Sequence, residues 1–454
     1  MISNPKTYPI LPVAKIYKTW WPLAFSWLLM GAELPAISAV VARLPNPEIN
    51  LAAYGGIVFP LALIIEAPII MLLAASTALC KDIASYRKLR RFMMVAGGTL
   101  TALHLLVALT PIYYFVVVNI LGAPAEIIEP GRIGFILMTP WTWSIAYRRF
   151  NQGVLIRFGH PQTISVGTVI RLSADLAVLA VGYSLGDIQG IVVATLAVSA
   201  GVISEAVYVG IMVRPVIKHE LKLAPPVSPV LTLRSFLAFY VPLAMTSLLF
   251  LLAQPMGSAA ISRMPMALES LAVWPVVSGL VFMFRSLGVA YNEVVVALLD
   301  EPRSFVSLHR FTGWLSLAST LALLVMTVTP LSSWWFSTVS ALPPELAAMA
   351  GLALWFALPL PFLSAIQSWY QGAILHGRVT RGITEAVLVY LVISIALYLI
   401  GVAWGQVPGL YIGLLVISIS MAAQTVWLWV RSRPILQAVQ VRDGVVLPAE
   451  APLG

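Results

Sequence analysis

The stretch Pro22–Arg43, PLAFSWLLMGAELPAISAVVAR, returns 220 residues later as Pro242–Arg263, PLAMTSLLFLLAQPMGSAAISR. Pro22-Leu23-Ala24 meets Pro242-Leu243-Ala244, Leu28-Leu29 meets Leu248-Leu249, and Pro35 meets Pro255. Arg43-Leu44-Pro45 then meets Arg263-Met264-Pro265, and Leu51-Ala52 meets Leu271-Ala272. The match reappears at a shift of 219, pairing Pro140 with Pro359 and Gln152-Gly153 with Gln371-Gly372. Leucine and alanine coincidences carry little weight in so apolar a chain. The prolines, arginines and Gln-Gly pairs are rarer and keep near-constant spacing, which marks two copies of one structural unit.

The rest of the chain says what solvent that unit lives in. Of 454 residues, 60% are hydrophobic and 10% charged, where soluble domains carry about 25% charged residues. So little charge cannot clothe a soluble body of this size, and lipid must be the solvent for much of it. The single cysteine, Cys80, excludes an intrachain disulfide framework. Met1–Lys15 has no apolar core ending in a small-residue cleavage site, so no removable signal peptide is expected.

Apolar runs of bilayer-spanning length recur. In the first half they are Tyr17–Ala42, Leu51–Leu79, Phe92–Leu121, Ile133–Ile156, Thr163–Leu185 and Gly190–Val213. In the second they are Phe236–Ala260, Leu271–Leu299, Phe311–Val339, Leu346–Leu375, Ile383–Gly405 and Gly409–Val430. With twelve spans, 20 basic residues fall on one side, among them Lys6, Arg87, Lys218, Arg303, Arg378 and Arg431. Only Arg43, Arg132 and Arg263 fall on the other. Positive charge is retained in the cytoplasm, so both termini are expected there, in an inner (plasma) membrane. The net charge of +9 reads as this topology signal rather than as nucleic acid binding.

The predicted fold is an all-α polytopic membrane protein of twelve transmembrane helices in two six-helix lobes. Six spans is an even number, so the repeats run parallel, related by a pseudo-two-fold axis along the membrane normal. The lobes are residues 15–213 and 234–434, with tails at 1–14 and 435–454. The linker 214–233 carries Pro225, Pro226 and Pro229, which suit an extended cytoplasmic connection.

Ionisable groups inside a membrane are costly, which makes each a functional candidate. Glu33 precedes Pro35 and Glu66 precedes Pro68. A proline loosens the helix, and carbonyls beside an acid can receive a proton or sodium ion. Glu33 also sits ten residues before Arg43, where it could simply be solvated at the outer surface. The equivalent position in the second half is neutral, Gln254-Pro255. Arg285 lies mid-span, with Asn292 and Glu293 about two turns on. Arg171 has Asp175 four residues later, a spacing that permits either a structural pair or a substrate role. Arg148 and Arg149 lie near a span end, where at least one is expected to snorkel to the headgroups. Arginine suits carboxylate and phosphate because its fork donates two parallel hydrogen bonds. The expected substrate-binding set is therefore Arg285, Arg149, Arg171, Asn292 and Gln254, with Glu33 and Glu66 as ion-coupling acids.

Other polar residues carry weaker signals. Glu205 and Glu385 occupy late helices of each half, as peripheral or locally paired groups. His104 reads as a buried, hydrogen-bonded histidine. Trp20, Trp21, Trp141, Trp143, Trp334 and Trp335 read as interfacial anchors, and Trp274 and Trp355 as possible cavity linings. There is no Walker motif, HExxH, Cys/His metal cluster or GxSxG. The expectation is a non-enzyme without cofactor or metal, and not an ATP-driven pump within this chain.

The chain resembles the multidrug/oligosaccharidyl-lipid/polysaccharide (MOP) exporter superfamily, which includes multidrug and toxic compound extrusion (MATE) proteins and lipid-linked sugar flippases. Within it the resemblance is greatest to the progressive ankylosis family of transporters. It is carried by Pro22–Arg43 with its internal acid, Leu51-Ala52-Ala53-Tyr54-Gly55, the basic segment leading to Met94-Val95-Ala96-Gly97-Gly98, Ser235–Ala244 and Phe356–Gly377. These stretches are short, though the resemblance spans most of residues 15–434. It implies two six-helix lobes around a central cavity, alternating access, and export of anions such as pyrophosphate, citrate or nucleotides. The resulting expectation is a secondary transporter of organic or phosphorylated anions, working as a monomer among membrane lipids, with a proton or sodium ion as a possible partner and no nucleic acid. Two alternatives stand beside it: a MATE-type drug or cation antiporter driven by protons or sodium, and a lipid-linked sugar flippase. A flippase should show a lateral opening to lipid between the lobes, and an anion carrier a positively charged cavity.

Overall fold

The computed structural model describes residues 11–228, 230–377 and 381–445. Lys6, Pro229, Arg378 and the outer parts of both tails (1–10 and 446–454) lie outside them. The described chain forms twelve helical columns. The first six are α1 Val13–Val41, α2 Pro47–Leu79, α3 Ile83–Leu109, α4 Ala125–Leu137 continued by Thr139–Arg157, α5 Gln162–Leu185 and α6 Gly190–Leu221. The second six are α7 Leu233–Ile261, α8 Ala267–Leu298, α9 Ser304–Val328, α10 Pro344–His376, α11 Arg381–Trp404 and α12 Gly409–Arg442. Eleven of these are long and apolar enough to cross a membrane. The other is α4, which carries Glu126, Glu129, Arg132, Arg148 and Arg149. It can afford them because it packs against α2, α3 and α6 at the centre of its lobe. Its counterpart α10 packs the same way against α8, α9 and α12.

The repeat extends into the backbone. Asn46 and Met266, 220 apart, both take left-handed φ, at 50° and 53°, where each lobe turns into its second column. Gly186 and Gly405, 219 apart, do the same at 73° and 59°. The repeated Gln-Gly pairs mark crossings that leave no room for a side chain. A Cβ on Gly153 would meet Leu73 O of α2 at 2.3 Å, and one on Gly372 would meet Asn292 O of α8 at 3.1 Å and Val295 Cβ at 2.6 Å.

Three boundaries differ from the sequence reading. The third and ninth apolar runs each break at a Thr-Pro, Thr110-Pro111 and Thr329-Pro330, and continue as a short helix, Ile112–Leu121 in one lobe and Leu331–Trp334 running into Trp335–Val339 in the other. Both short helices widen into π-turns. The basic segment after α2 is not an extended loop: Asp82 caps α3, accepting from Ser85 N at 2.8 Å, and Arg87–Arg91 already belong to that helix. The last helix runs through Pro434 to Arg442, into the stretch expected to be tail.

The face carrying the α2–α3, α6–α7 and α8–α9 turns is the basic face, and the linker is docked there. Val227 N–H donates to Asp82 Oδ2 at 3.0 Å, and Lys88 Nζ to Leu231 O at 2.7 Å. The lobes meet along α1–α8 and α2–α7. Helix α1 crosses between them. Ile16, Trp20 and Ala24 pack among Tyr291, Leu308 and Trp369 of the second lobe, and Leu11 O accepts from Ser307 Oγ at 2.8 Å. Ile37 and Val41 pack in the first lobe's core. At the crossing, a Cβ on Gly279 would touch Pro35 Cδ at 2.9 Å.

Candidate functional site

A cavity of about 230 Å³ opens where α8, α10 and α12 meet α1, lined among others by Arg285, Asn292, Glu293, Ser364, Gln371 and Trp27. Arg285 reaches it from mid-α8. Its Nε donates to Ser364 Oγ at 3.0 Å, and Nη2 lies 3.7 Å from Met421 Sδ, a weak acceptor. Among the described residues no carboxylate lies within 4.0 Å of this guanidinium. Glu293, eight residues along α8 and so about 12 Å nearer the basic face, is exposed and too far for a direct pair. The remaining lining is neutral and hydrogen-bonding: Asn292 Nδ2 donates weakly to Gln371 Oε1 at 3.4 Å, and Gln367 Nε2 binds Met421 O and Gln424 Oε1, both at 3.1 Å. The site thus offers one cation, whose Nη atoms have no oxygen partner, amid amides and hydroxyls. Its volume suits a carboxylate- or phosphate-sized group with a few waters.

The first lobe holds a second set of charges, most of them paired internally. Arg171 Nη2 donates to both carboxylate oxygens of Glu33, with Oε1 at 2.6 Å, tying α5 to α1. Its Nε stands 4.0 Å from Asp175 Oδ2. The sequence spacing suggested Asp175 as the partner, but the tighter pair is with Glu33, 138 residues away. Glu33 is therefore not simply solvated at the surface. Asp175 is 2% exposed and neither carboxylate oxygen has a hydrogen bond.

Arg148 is 5% exposed and its Nη1 donates to Glu205 Oε2, while Glu205 Oε1 accepts from Gln152 Nε2 at 2.8 Å. Of the two arginines of which at least one was expected to snorkel, Arg148 does not, because α4 is central and its acid partner sits on α6. Glu205 is accordingly buried in the lobe rather than peripheral. Glu66 is 3% exposed with Oε2 unpartnered, and Arg149, half-buried, makes no hydrogen bond or ion pair among the described residues.

Gln254 is exposed on α7 and stands apart from the Arg285 cavity. Glu385 pairs locally with Arg381 and Arg431 at the basic face. His104 is buried between Thr142 Oγ1 at 2.9 Å and Phe135 O at 2.8 Å. Trp355 is 49% exposed on the outside of its lobe, and Trp274 packs against Gly413 of α12. Trp20 is not an interfacial anchor: it is buried and donates to Leu287 O at 2.9 Å. Trp141 is likewise buried.

Of the expected site residues, the structure brings Arg285 and Asn292 into one cavity, and Arg171 onto Glu33. It adds Ser364, Gln371 and Trp27, which sequence reasoning passed over. Gln371 was visible as half of a repeated Gln-Gly pair, yet that pair was read only as evidence of repetition.

No family model matches the chain, and no curated protein matches it. Solved structures do resemble it. An inward-facing MATE-family multidrug resistance transporter of the MOP superfamily aligns with 16% identity and a TM-score of 0.69, covering 92% of this chain and 99% of that one. An outward-facing one gives 16% identity and a TM-score of 0.58, over 94% and 97% of the chains. The lipid II flippase MurJ, in an inward closed conformation, gives 15% identity and a TM-score of 0.59, over 94% and 93%. The fold is thus the one shared by MATE-type MOP superfamily transporters and MurJ. The chain is a multi-span membrane protein of two parallel six-helix lobes.

Proposed function

We propose that this protein is an alternating-access secondary transporter that moves a solute through its anionic group, carboxylate or phosphate, exporting it from the cytoplasm across an inner membrane. The observation that carries this reading is Arg285: a guanidinium in the cavity between α1 and the second lobe, with no carboxylate within 4.0 Å among the described residues. An arginine at mid-bilayer costs at least about 2.5–3.5 kcal/mol on insertion scales. A substrate anion, bound by the planar fork, offsets that cost at each turnover. Ser364, Gln371 and Asn292 supply hydrogen bonds to the rest of the polar group, and Trp27 a flat apolar wall. The resemblance to the progressive ankylosis family points the same way. Arg149, a half-buried first-lobe cation with no hydrogen bond or ion pair among the described residues, is the second anion-binding candidate.

The cation-antiporter reading rests on Glu33, and Arg171 already neutralises that carboxylate. Glu66 keeps an unpartnered oxygen and is the better candidate for a coupling proton. The transporter is taken to work as a monomer, and the basic face, with the linker, is assigned to the cytoplasm.

The test is uptake of citrate, pyrophosphate and nucleotide into inverted vesicles. Arg285→Ala should lower the apparent affinity for the transported anion roughly ten- to hundredfold, the loss expected for a charge-assisted hydrogen bond. Arg285→Lys should restore part of it. Wild-type transport of every anion by Arg285→Ala, at equal protein level, refutes the reading.

A further inference from the structure

Among the described residues, only three basic ones occur on the face opposite the linker, and each is bound to backbone carbonyls at a helix end. Arg132 stays within its own lobe, donating to Ala108 O at 3.0 Å, near the end of α3. Arg43 and Arg263 do not. Arg43, just past the end of α1, donates to Val339 O at 2.8 Å and Thr338 O at 2.5 Å, the last carbonyls of the second lobe's short helix. Arg263, just past α7, donates to Leu121 O and Ile120 O at 2.8 Å and Asn119 O at 3.1 Å, the last carbonyls of the first lobe's short helix. Each arginine is also braced on its own helix, Arg43 on Ala39 O at 2.7 Å and Arg263 on Ala259 O at 2.6 Å. These partners again stand 220 apart.

The final carbonyls of a helix lack intrahelical donors and carry the negative end of its dipole, so a guanidinium is well suited to them. We propose that Arg43 and Arg263 are a reciprocal pair of latches that hold the opposite face closed, and that opening this face breaks both. Five hydrogen bonds across the lobe boundary depend on them. Since they exist only while the lobes are together there, they bias the equilibrium between the two access states. Both side chains are exposed, so water can replace their contacts and the latch is reversible.

The two latches differ where the short helix ends. Gly122 ends the first short helix at φ 66°, and a Cβ there would stand 3.1 Å from Arg263 Cζ. Its counterpart, 219 residues on, is Ala341, which takes the same left-handed turn at φ 51°. Arg263, facing the glycine, binds three carbonyls of the other lobe, and Arg43, facing the alanine, binds two. The missing contact is to Ser340, the counterpart of Leu121.

The experiment places spin labels at Glu126→Cys and Glu345→Cys, exposed positions starting α4 and α10 on this face, in a Cys80→Ala background in nanodiscs. Inter-lobe distances are then read by double electron–electron resonance. Arg43→Ala and Arg263→Ala should each raise the ratio of long to short distances, on the order of tenfold, and the double variant should exceed either. Gly122→Ala keeps the charge and should move the distribution the same way by a smaller factor, which preserves the test should an arginine variant fold poorly. Arg132→Ala should leave it unchanged. An unmoved distribution in the double variant, an unmoved one in Gly122→Ala, or an Arg132→Ala shift as large as that of Arg263→Ala, overturns the proposal.

Discussion

Removing the charge of Glu205 while keeping its shape isolates what the buried pair in the first lobe is for. Arg148 and Glu205 are 5% and 1% exposed, and Glu205 accepts from both Arg148 and Gln152. In Glu205→Gln the guanidinium stays at the centre of the lobe, next to Arg149 and without a counter-charge. Breaking a buried pair in this way costs about 3–5 kcal/mol. Replacing both partners by apolar groups, as in Arg148→Met with Glu205→Leu, removes the uncompensated charge. It leaves mainly Gln152 without its acceptor, about 1–3 kcal/mol. The order of stability should be wild type, then the double variant, then Glu205→Gln. The assay is the temperature at which the detergent-purified protein loses its monodisperse peak. The pair lines no part of the Arg285 cavity, so the double variant should transport with an unchanged KM. Glu205→Gln as stable as wild type, or a double variant no better than the single, would refute the assignment of this pair to structure.

Three further outcomes follow from the geometry. Gly153→Ala puts a Cβ 2.3 Å from Leu73 O and 1.9 Å from Ser76 Oγ, so α2 and α4 must part at a cost of roughly 1–3 kcal/mol; thermal unfolding should read it, and Ser76→Ala should rescue only partly because the carbonyl remains. In Glu33→Gln, Arg171 keeps only Asp175, 4.0 Å away, so a lower unfolding temperature with unchanged proton or sodium dependence is expected, and loss of that dependence would assign coupling to Glu33. Asp82 is held below the usual carboxylate range by its Ser85 hydrogen bond and then by the Val227 N–H; a depressed folded pKa gives stability that is present above the ordinary value and lost as pH falls through the folded one, so proteolysis of the linker should accelerate on acidification in wild type and already be fast at neutral pH in Asp82→Asn.

The lobes were legible because the constraints that shape them are local and repeated. Pro22, Arg43 and the Gln-Gly pairs recur because each fixes a kink, a turn or a helix crossing that the second copy also needs. The split of the third and ninth runs was present as two Thr-Pro pairs 219 apart, but in the first lobe hydropathy hid it, since Ile112–Leu121 is as apolar as the span it follows. Cross-helix pairing was not legible. Sequence spacing offers Arg171 only a neighbour such as Asp175, one turn away, whereas Glu33 reaches it through the crossing path of α1. The same holds for Arg148 and Glu205, which meet only because α4 lies at the lobe centre. Arg285 was legible as an isolated mid-span charge, and the cavity around it required the fold.

The central claim, an anion held by Arg285, is tested most directly by ligand-induced thermal stabilisation of the purified protein. Citrate, pyrophosphate and nucleotides are compared with lipophilic cations, on wild type and on Arg285→Ala. The account predicts that at least one anion raises the unfolding temperature of wild type, that Arg285→Ala loses this response while keeping its own unliganded stability, and that the cations have no effect. Stabilisation by cations alone, or an anion response that survives Arg285→Ala undiminished, would contradict it.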